Sequence, residues 1–302
     1  MFTFDAADAE LTTSTGYVAL CQVAVELARE GAEHVRRRRP EVFGTVADRF
    51  QTAGTAPTTV QAKSSPTDPV TVVDTETERL IRDRLARRRP QDSILGEEGG
   101  GTAGDANRVR WVIDPIDGTV NFLYGIPAFA VSVAAQIDGR SVAGAVVDVA
   151  REVMYCAAAG HGAAVIGADG TVTPLRCNDV SELSMALVAT GFGYGSSRRA
   201  RQGRLVGELL PQVRDIRRIG SAALDLCMVG AGLVDAHFEH GLSPWDWAAG
   251  GLIAQEAGAR VWLPSPDSVS AAGAVVVACA PGVAAELADV FERLGAFEPI
   301  PE

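Results

Sequence analysis

WVIDPIDGTVNF, residues 111–122, places two carboxylates three positions apart, on either side of a proline. The apolar start predicts the end of a buried strand, and Pro115 cannot continue the hydrogen bonds of that strand, so we expect a turn there. Gly118 and Thr119 then offer free backbone N–H groups at the positive end of a helix, where phosphate binds. Asp114 and Asp117 beside such a cradle predict a metal-dependent phosphate enzyme. The alternative is a turn whose aspartates merely cap a helix.

Composition limits the class of protein. The chain has 302 residues, of which 47% are hydrophobic, enough for one large domain over 1–302, which we divide into subdomains 1–179 and 180–302. The formal net charge of −11 disfavours direct binding of nucleic acid or of an anionic membrane. We therefore expect no direct nucleic-acid or membrane partner, and an acidic site would suit divalent cations.

The cysteines and the apolar segments predict a cytoplasmic protein. Five cysteines occur without CxxC or Cys/His spacing, which is typical of reduced thiols. The first residues lack the basic region of a signal peptide. The most apolar stretch, residues 271–285, is interrupted by Pro281 and Gly282 and is too short to span a bilayer.

Hydrophobic periodicity predicts an antiparallel first half and an alternating α/β second half. A first helix begins near residue 18 and is expected to end at Pro40; further helices are predicted at 75–89, 197–210, 221–231, 246–257 and 281–294. Strands are predicted at 91–98, 108–114, 129–137, 142–149, 152–158, 186–190, 215–218, 233–239, 259–262 and 274–279. Residues 51–68 are interpreted as a mobile loop in which Lys63 either tethers the loop or contacts anions. These elements imply stacked layers of helices and sheets, an α+β or α/β fold.

Four motifs carry a family resemblance: KSSPTDPVTVVD at 63–74, GEEG at 96–99, DPIDGT at 114–119 and WDWAAGG at 245–251. Together they resemble the inositol monophosphatase family, within the lithium-sensitive, magnesium-dependent phosphomonoesterases. The resemblance runs from about Lys63 to Val261 and continues more weakly to the last residues of the chain. It implies a layered αβαβα sandwich of the inositol monophosphatase and fructose-1,6-bisphosphatase type, and a homodimer.

Acidic side chains on separate elements suit hard cations such as Mg²⁺, which prefer oxygen ligands, and no His/Cys cluster favours zinc. The resemblance implies that Glu97, Asp114 and the backbone carbonyl of Ile116 hold a first Mg²⁺. It implies that Asp114, Asp117 and Asp246 hold a second, with Asp114 shared between the two. Two to three Mg²⁺ per site are expected.

The resemblance also implies catalytic roles. Asp74 resembles a more distant acid that reaches a third, weaker metal through water or orients Thr119. Glu97 and the Asp74–Thr119 pair would position and deprotonate a metal-activated water. That water would attack the phosphate directly, without a covalent phosphoenzyme.

Substrate contacts are expected from two amide sites and one carboxylate. The first amide site is Gly118 and Thr119, and the second lies in residues 220–223, where ordinary capping of a helix by Ser221 is the alternative. Glu239 resembles the family's acceptor for sugar hydroxyls, although a lone glutamate at a strand end is more often only solvated. The expected substrate-binding residues are Asp117, Gly118, Thr119, Ser221, Ala222, Glu239 and Asp246.

The leading hypothesis for function is hydrolysis of inositol 1-phosphate. Phosphatases of the same superfamily that act on histidinol phosphate, fructose 1,6-bisphosphate or 3′-phosphoadenosine 5′-phosphate share the metal motifs and remain alternatives. The tract at residues 189–194 and Glu239 look more like the inositol enzymes. A hypothesis of another class is a role as a partner of the transcription machinery, because bacterial relatives of this family can have one.

Overall fold

Two large mixed β-sheets with helices between and around them make up the fold. The computed structural model describes residues 14–44, 60–62, 69–101 and 108–302. Lys63 and most of the 51–68 segment lie outside these residues. The helices are α1 Ser14–Phe43, α2 Val72–Arg88, α3 Thr119–Tyr124, α4 Ser196–Leu209, α5 Ala222–Gly230, α6 Pro244–Glu256 and α7 Ala284–Leu294.

The strands of the first half are β1 Val60–Ala62, β2 Pro69–Thr71, β3 Ser93–Gly96, β4 Val109–Asp117, β5 Ala130–Ile137, β6 Arg140–Asp148, β7 Val153–Ala158, β8 Ala163–Ile166 and β9 Val172–Pro174. β1 and β2 form an antiparallel pair. The others form a seven-stranded sheet in the order β3 to β9, in which only β3 and β4 are parallel.

The strands of the second half are β10 Leu187–Thr190, β11 Asp215–Arg217, β12 Ala236–His240, β13 Arg260–Trp262 and β14 Val275–Cys279. They form a five-stranded sheet in the order β11-β10-β12-β14-β13. β10 is parallel to both of its neighbours, and β14 is antiparallel to both of its own. Short 3₁₀ turns lie at Leu183–Met185, Leu210–Gln212, Ser270–Ala272 and Pro281–Val283.

Three buried apolar clusters fill the spaces between five layers. The first joins α1 and α2 to one face of the seven-stranded sheet. The second places α5 and α6 between the two sheets. The third packs α4 and α7 on the outer face of the five-stranded sheet. The order is therefore helix, sheet, helix, sheet, helix, which confirms the expected sandwich.

Small residues allow α6 to approach the larger sheet closely. A Cβ atom on Gly144 of β6 would lie only 3.0 Å from the Cα of Ala249 on α6. Ala134 on β5 also faces this layer. Because the helix lies so close to the strands, its first turn is fixed with respect to the end of β4.

The predicted meander is confirmed within two residues at each end of its three strands. Strands β8 and β9, which extend it, were not predicted. Residues 60–62, assigned to a loop, form a strand instead because they pair with residues 69–71. α2 begins at Val72 rather than after Asp74, because Thr71 supplies the cap.

Two prolines do not end the elements in which they occur, contrary to the sequence prediction. α1 continues past Pro40 to Phe43, since the ring of Phe43 packs against Phe122 at 5.5 Å and the N–H of Gly44 donates to the carbonyl of Pro40 at 3.0 Å. β4 likewise continues through Pro115. There the pairing with β5 shifts register at a bulge, so the missing N–H of the proline costs no ladder bond. In both cases tertiary packing decides the end of the element.

Among the helices of the described residues, none is both long enough and apolar enough to cross a membrane.

Candidate active site

A pocket of about 400 Å³ lies where β4 ends and where α3, α5 and α6 begin. Two sets of side chains line it. The set that we call the carboxylate cluster is Asp114, Asp117 and Asp246. The set that we call the outer wall is Arg218, Glu239 and Glu302.

The turn after the β4 bulge presents the first two acids. Asp114 is 1% exposed, and its Oδ1 accepts the N–H of Ile116 at 3.0 Å. Gly118 caps α3 with a φ of 92°, and a Cβ there would come within 3.0 Å of the carbonyl oxygens of Ala128 and Gly220. Only glycine fits this left-handed, crowded position. The predicted turn is therefore present, displaced to the end of the strand.

Asp117 is held by the first turn of α5. Its Oδ2 accepts the hydroxyl of Ser221 at 2.5 Å and the N–H of Ala223 at 2.7 Å. Burial raises the pKa of Asp117 to about 6, although the hydrogen bonds from Ser221, Ala223 and Ala222 oppose this rise. Ser221 also caps α5 by accepting the N–H of Leu224 at 3.3 Å. The second predicted amide site thus orients a carboxylate as well as beginning a helix.

Asp246 belongs to the first turn of α6. Ser243 and Asp246 form a capping box, in which the N–H of Ser243 donates to Asp246 Oδ2 at 2.6 Å. The pKa of Asp246 is raised well above its usual value, first by burial and then by the nearby charges of Asp117 and Glu97. This repulsion is the electrostatic signature of a site that a cation would complete.

The three acids of the carboxylate cluster converge. One oxygen from each lies within 4.8 Å of the others, a spacing that suits a metal ion. Their oxygen-only chemistry fits a hard divalent cation. The structure thus brings Asp114 and Asp117 of β4 close to Asp246 of α6, which follows them by about 130 positions in the sequence.

Glu97 lines the same pocket but is not one of the three converging acids. It follows β3, and its N–H donates to the carbonyl of Ile113 at 3.2 Å. The turn that carries it is held by Glu78 of α2, whose carboxylate accepts the N–H groups of Glu98 at 2.7 Å and Gly99 at 2.8 Å. A side chain on Gly99 would collide with Glu78. Sequence analysis missed Glu78, because its role depends on the turn at 98–99 that packs against it.

Asp74 and Thr119 are both buried and meet directly. The Thr119 hydroxyl lies 3.2 Å from Asp74 Oδ1 and 3.0 Å from the carbonyl oxygen of Ile116. Asp74 is the third helical residue of α2 and accepts hydrogen bonds from the N–H and the hydroxyl of Thr71. The predicted Asp74–Thr119 pair is therefore present, and it touches the carbonyl that was expected to bind a metal.

The outer wall combines two acids and one arginine. Glu239 is on β12, and its carboxylate lies so close to Gly191 that no side chain fits at that position. Burial raises the pKa of Glu239 to about 8; the charge of Arg218 lowers it and that of Asp117 raises it. Arg218 is exposed and was not identified from the sequence.

A buried acid and histidine lie close to Glu239. His237, two positions before Glu239 on β12, was considered from the sequence as a less favoured substrate contact, whereas Asp225 was missed. Asp225 of α5 is 1% exposed, and its Oδ2 lies 3.6 Å from Nδ1 of the fully buried His237. Neither side chain has a hydrogen-bond partner among the described residues. Burial lowers the pKa of His237 to about 3 and raises that of Asp225 well above its usual value. At neutral pH the histidine is therefore uncharged.

Comparison with known proteins agrees with this geometry. The profile of the inositol monophosphatase family matches residues 18–295. The inositol-1-monophosphatase SuhB of Mycobacterium tuberculosis is 58% identical over 287 residues, which are 94% of this chain and 97% of that protein. The Nus factor SuhB of Escherichia coli is 39% identical over 235 residues, 75% of this chain and 86% of that protein.

A solved structure of M. tuberculosis SuhB has the same fold. Its TM-score is 0.77 at 52% identity, over 93% of this chain and 98% of the solved one. The profile match and the identity both extend over nearly the whole chain. The chain is thus a phosphatase that hydrolyses phosphate monoesters, and it belongs to the inositol monophosphatase family.

Proposed function

We propose that this phosphatase hydrolyses inositol 1-phosphate to inositol and phosphate and that it requires Mg²⁺. The observation that carries the proposal is the pocket itself, in which three carboxylates within 4.8 Å of one another share a wall with Glu239. The cluster suits metal ions, which would in turn attract the phosphate, and Glu239 suits the ring hydroxyls of a polyol. The M. tuberculosis relative named an inositol-1-monophosphatase supports the same substrate.

The metal-holding residues in this proposal are Glu97, Asp114, the carbonyl of Ile116, Asp117 and Asp246. When bound, two to three Mg²⁺ would neutralise the phosphoryl group and acidify water. Support comes from the mutual repulsion of the acids, which raises the pKa of Asp246, and from a donor set made of oxygen alone. Such carboxylates are stable side by side only with protons or cations between them.

The chain's own groups would orient substrate and water. The N–H groups of Gly118 and Thr119, at the start of α3, would hold the phosphate oxygens. Glu97 and the Thr119 hydroxyl, itself directed by Asp74, would hold the attacking water and accept its proton. A bond forms between the water oxygen and phosphorus, the phosphorus–ester oxygen bond breaks, and the leaving oxygen takes a proton to become an inositol hydroxyl.

Glu239 would set the orientation of the ring. Its carboxylate accepts hydroxyl donors, and ring hydroxyls that lose water in the pocket need such acceptors. The pKa of Glu239 is raised because burial makes its charged form costly. A substrate hydroxyl or cation that hydrogen-bonds to the carboxylate would stabilise that charged form. A substrate ammonium group would satisfy it too, and for that reason histidinol phosphate is the second candidate.

Inhibition by Li⁺, assembly as a homodimer and a cytoplasmic location belong to the same proposal. All five cysteines are free thiols, which supports a reducing compartment. We also treat residues 1–302 as one phosphatase domain with subdomains 1–179 and 180–302, since one large sheet lies on each side of that boundary. Measurement of activity at increasing LiCl concentration tests the inhibition by Li⁺. Light scattering tests the homodimer, for which a mass of twice 31.6 kDa is expected.

A phosphate-release screen tests the substrate. Inositol 1-phosphate, histidinol phosphate, fructose 1,6-bisphosphate and 3′-phosphoadenosine 5′-phosphate are compared with Mg²⁺ and with EDTA. We expect the highest kcat/KM for inositol 1-phosphate and no turnover in EDTA. Preference for histidinol phosphate would replace the first candidate with the second, and full activity in EDTA would refute the metal requirement.

A role beside the transcription machinery is the candidate of another class. It is supported by the E. coli relative that is named a Nus factor. The test is whether the immobilised protein captures RNA polymerase. The control is another folded phosphatase with a similar surface. Such capture together with phosphatase activity would mean two functions in one chain.

A further inference from the structure

A buried arginine joins three parts of the chain at the pocket. Arg198 of α4 is 1% exposed, and its Nε donates to the carbonyl of Ile300 at 2.7 Å. Its Nη2 donates to the carbonyl of Ser270 at 2.7 Å, and its Nη1 lies 3.5 Å from Oε1 of Glu302. One planar fork thus bonds to the loop around Ser270 and to the segment that follows α7.

The segment 296–302 is held by further contacts that do not involve Arg198. The N–H of Ile300 donates to the carbonyl of Gly273 at 2.9 Å. A Cβ on Gly273 would overlap the Ile300 carbonyl, so the two backbones are in close contact. The ring of His240, at the end of β12, bonds through Nε2 to the carbonyl of Ala296 at 2.8 Å. The segment is therefore a fixed part of the fold.

The same loop is connected to the carboxylate cluster. The N–H of Ser270 donates to the hydroxyl of Ser243 at 3.1 Å, and the N–H of Ser243 donates to Asp246. Ser270 and Glu302 both line the pocket. The segment and the loop therefore form one side of the space that receives the part of a substrate beyond its phosphate.

The charges of the outer wall differ from those of the cluster in one respect. Cations at the cluster would neutralise its acids. In the outer wall, Glu302 instead pairs with Arg198, whose side chain is fully buried, so the carboxylate is the partner that reaches the pocket. The exposed Arg218 lines the same pocket and carries the opposite charge. Glu302 has a side chain that is 43% exposed, so it meets both solvent and pocket. A neutral ring passes this carboxylate without electrostatic cost, while a second phosphate group is repelled by it.

We propose that the 296–302 segment, fixed by Arg198, is a specificity wall of the pocket and that Glu302 selects against substrates with a second phosphate group. The inference rests on the proposed hydrolysis of a monophosphorylated polyol. Loss of the Glu302 charge also leaves Arg198 without its carboxylate partner, which adds attraction for a distal phosphate. Both effects act in the same direction.

Glu302→Gln tests the inference, and Glu298→Gln is the matched control. Glu298 lies on the same segment, is exposed and does not line the pocket, so its replacement changes net charge equally. We measure kcat/KM for fructose 1,6-bisphosphate and for inositol 1-phosphate. The ratio of the first to the second is expected to rise about two- to fivefold in Glu302→Gln and to stay unchanged in Glu298→Gln. The rise in this ratio should be smaller in about 0.5 M salt, because salt screens exposed charges.

Each other outcome is decisive. Equal ratios in the two variants, or a gain that salt does not reduce, would overturn the exclusion. The ratio could also rise only because kcat/KM for inositol 1-phosphate falls. Glu302 would then be an acceptor for substrate hydroxyls, and the proposed exclusion would again be overturned. A wild-type protein inactive on inositol 1-phosphate would refute the proposed function instead, and the ratio would then be taken against 4-nitrophenyl phosphate.

Discussion

The carboxylate cluster and the outer wall line one pocket but are fixed in different ways. In the cluster, backbone and hydroxyl donors from the first turns of helices bind the acids, as Ser221 binds Asp117 and Ser243 binds Asp246. In the outer wall, placement comes from close packing of Glu239 against Gly191 and from the buried side chain of Arg198. Secondary structure sets the first region, and contacts between distant segments set the second.

Under the proposed function, this difference separates the groups that carry out the reaction from those that select the substrate. Helix-start geometry is stiff, and its donors keep the cluster carboxylates in one arrangement, as a site for cations and phosphate requires. The outer wall depends on side chains whose replacement leaves the sheets and helix starts intact. Changes in the cluster should therefore stop turnover on every substrate, and changes in the wall should alter the order of substrates.

The largest effect is expected in the cluster. Asp114→Asn and Asp246→Asn each remove one charge from the cluster but keep its shape, so kcat should fall by on the order of a thousandfold on all phosphate esters. Steady-state kinetics measure the loss, and circular dichroism shows that the variants are folded. Asp289→Asn, an exposed change on α7, is the control. If either cluster variant kept about a tenth or more of the wild-type activity, the replaced carboxylate would not take part in the reaction.

An intermediate effect is expected at Glu239. Charge-assisted hydrogen bonds contribute about 1.5–3 kcal/mol each, so Glu239→Ala should lower kcat/KM for inositol 1-phosphate about ten- to a hundredfold. A simple aryl phosphate has no ring hydroxyls and should lose far less. If both substrates lose activity equally, Glu239 acts on the cluster, and the separation between the two regions fails. If histidinol phosphate is preferred and loses most, the second candidate holds.

The smallest expected effect is on the pH dependence of stability and of metal binding. It should involve Asp117 of the cluster and not the outer wall. The folded-state pKa of Asp117 is raised to about 6, so the metal-free protein loses stability as pH rises from about 4 through 6. At the proposed metal site, Mg²⁺ would bind the ionised form of Asp117, so at pH 5 it would have to displace a proton. Its apparent affinity there should be about tenfold lower than at pH 7.5.

Thermal unfolding with and without Mg²⁺ measures this linkage. The rise in Tm on adding MgCl₂ should be larger at pH 7.5 than at pH 5, and KCl at equal ionic strength should give none. In Asp117→Asn the rise should be small at both pH values, while Glu302→Gln should behave as wild type. Equal rises at both pH values in the wild type would contradict the assignment of Asp117.

The cluster could be predicted from the sequence because its residues lie in short local motifs. DPIDGT encodes a turn, two acids and a helix start within six residues, and each property follows from local chemistry. The path of β4 through Pro115 could not be predicted in the same way. It depends on the pairing of Asp117 with Ala130, a partner on another strand. The course of α1 past Pro40 depends similarly on Phe122, more than 80 positions away.

Of the outer wall, sequence analysis identified Glu239 but not Arg218 or Glu302, and it also missed the supporting groups. Arg198 lies in a run of arginines that resembles a solvated helix face, and only the tertiary fold brings Ile300 and Ser270 to it. Glu78 is one of two glutamates on α2, and only the turn at Gly99, which packs on it, distinguishes it from the other. These roles arise from contacts that span from about 20 to about 100 positions, for which a single sequence carries no pattern.

The location of Glu302 has a practical consequence. Any residues attached after it, such as a purification tag, would emerge beside the substrate entrance and add bulk and charge there. A polyhistidine tag attached after Glu302 would bring metal-binding imidazoles close to the proposed metal site. Kinetic constants from such a fusion would describe the tag together with the enzyme. Kinetic measurements on this protein therefore call for a chain with no residues added after Glu302.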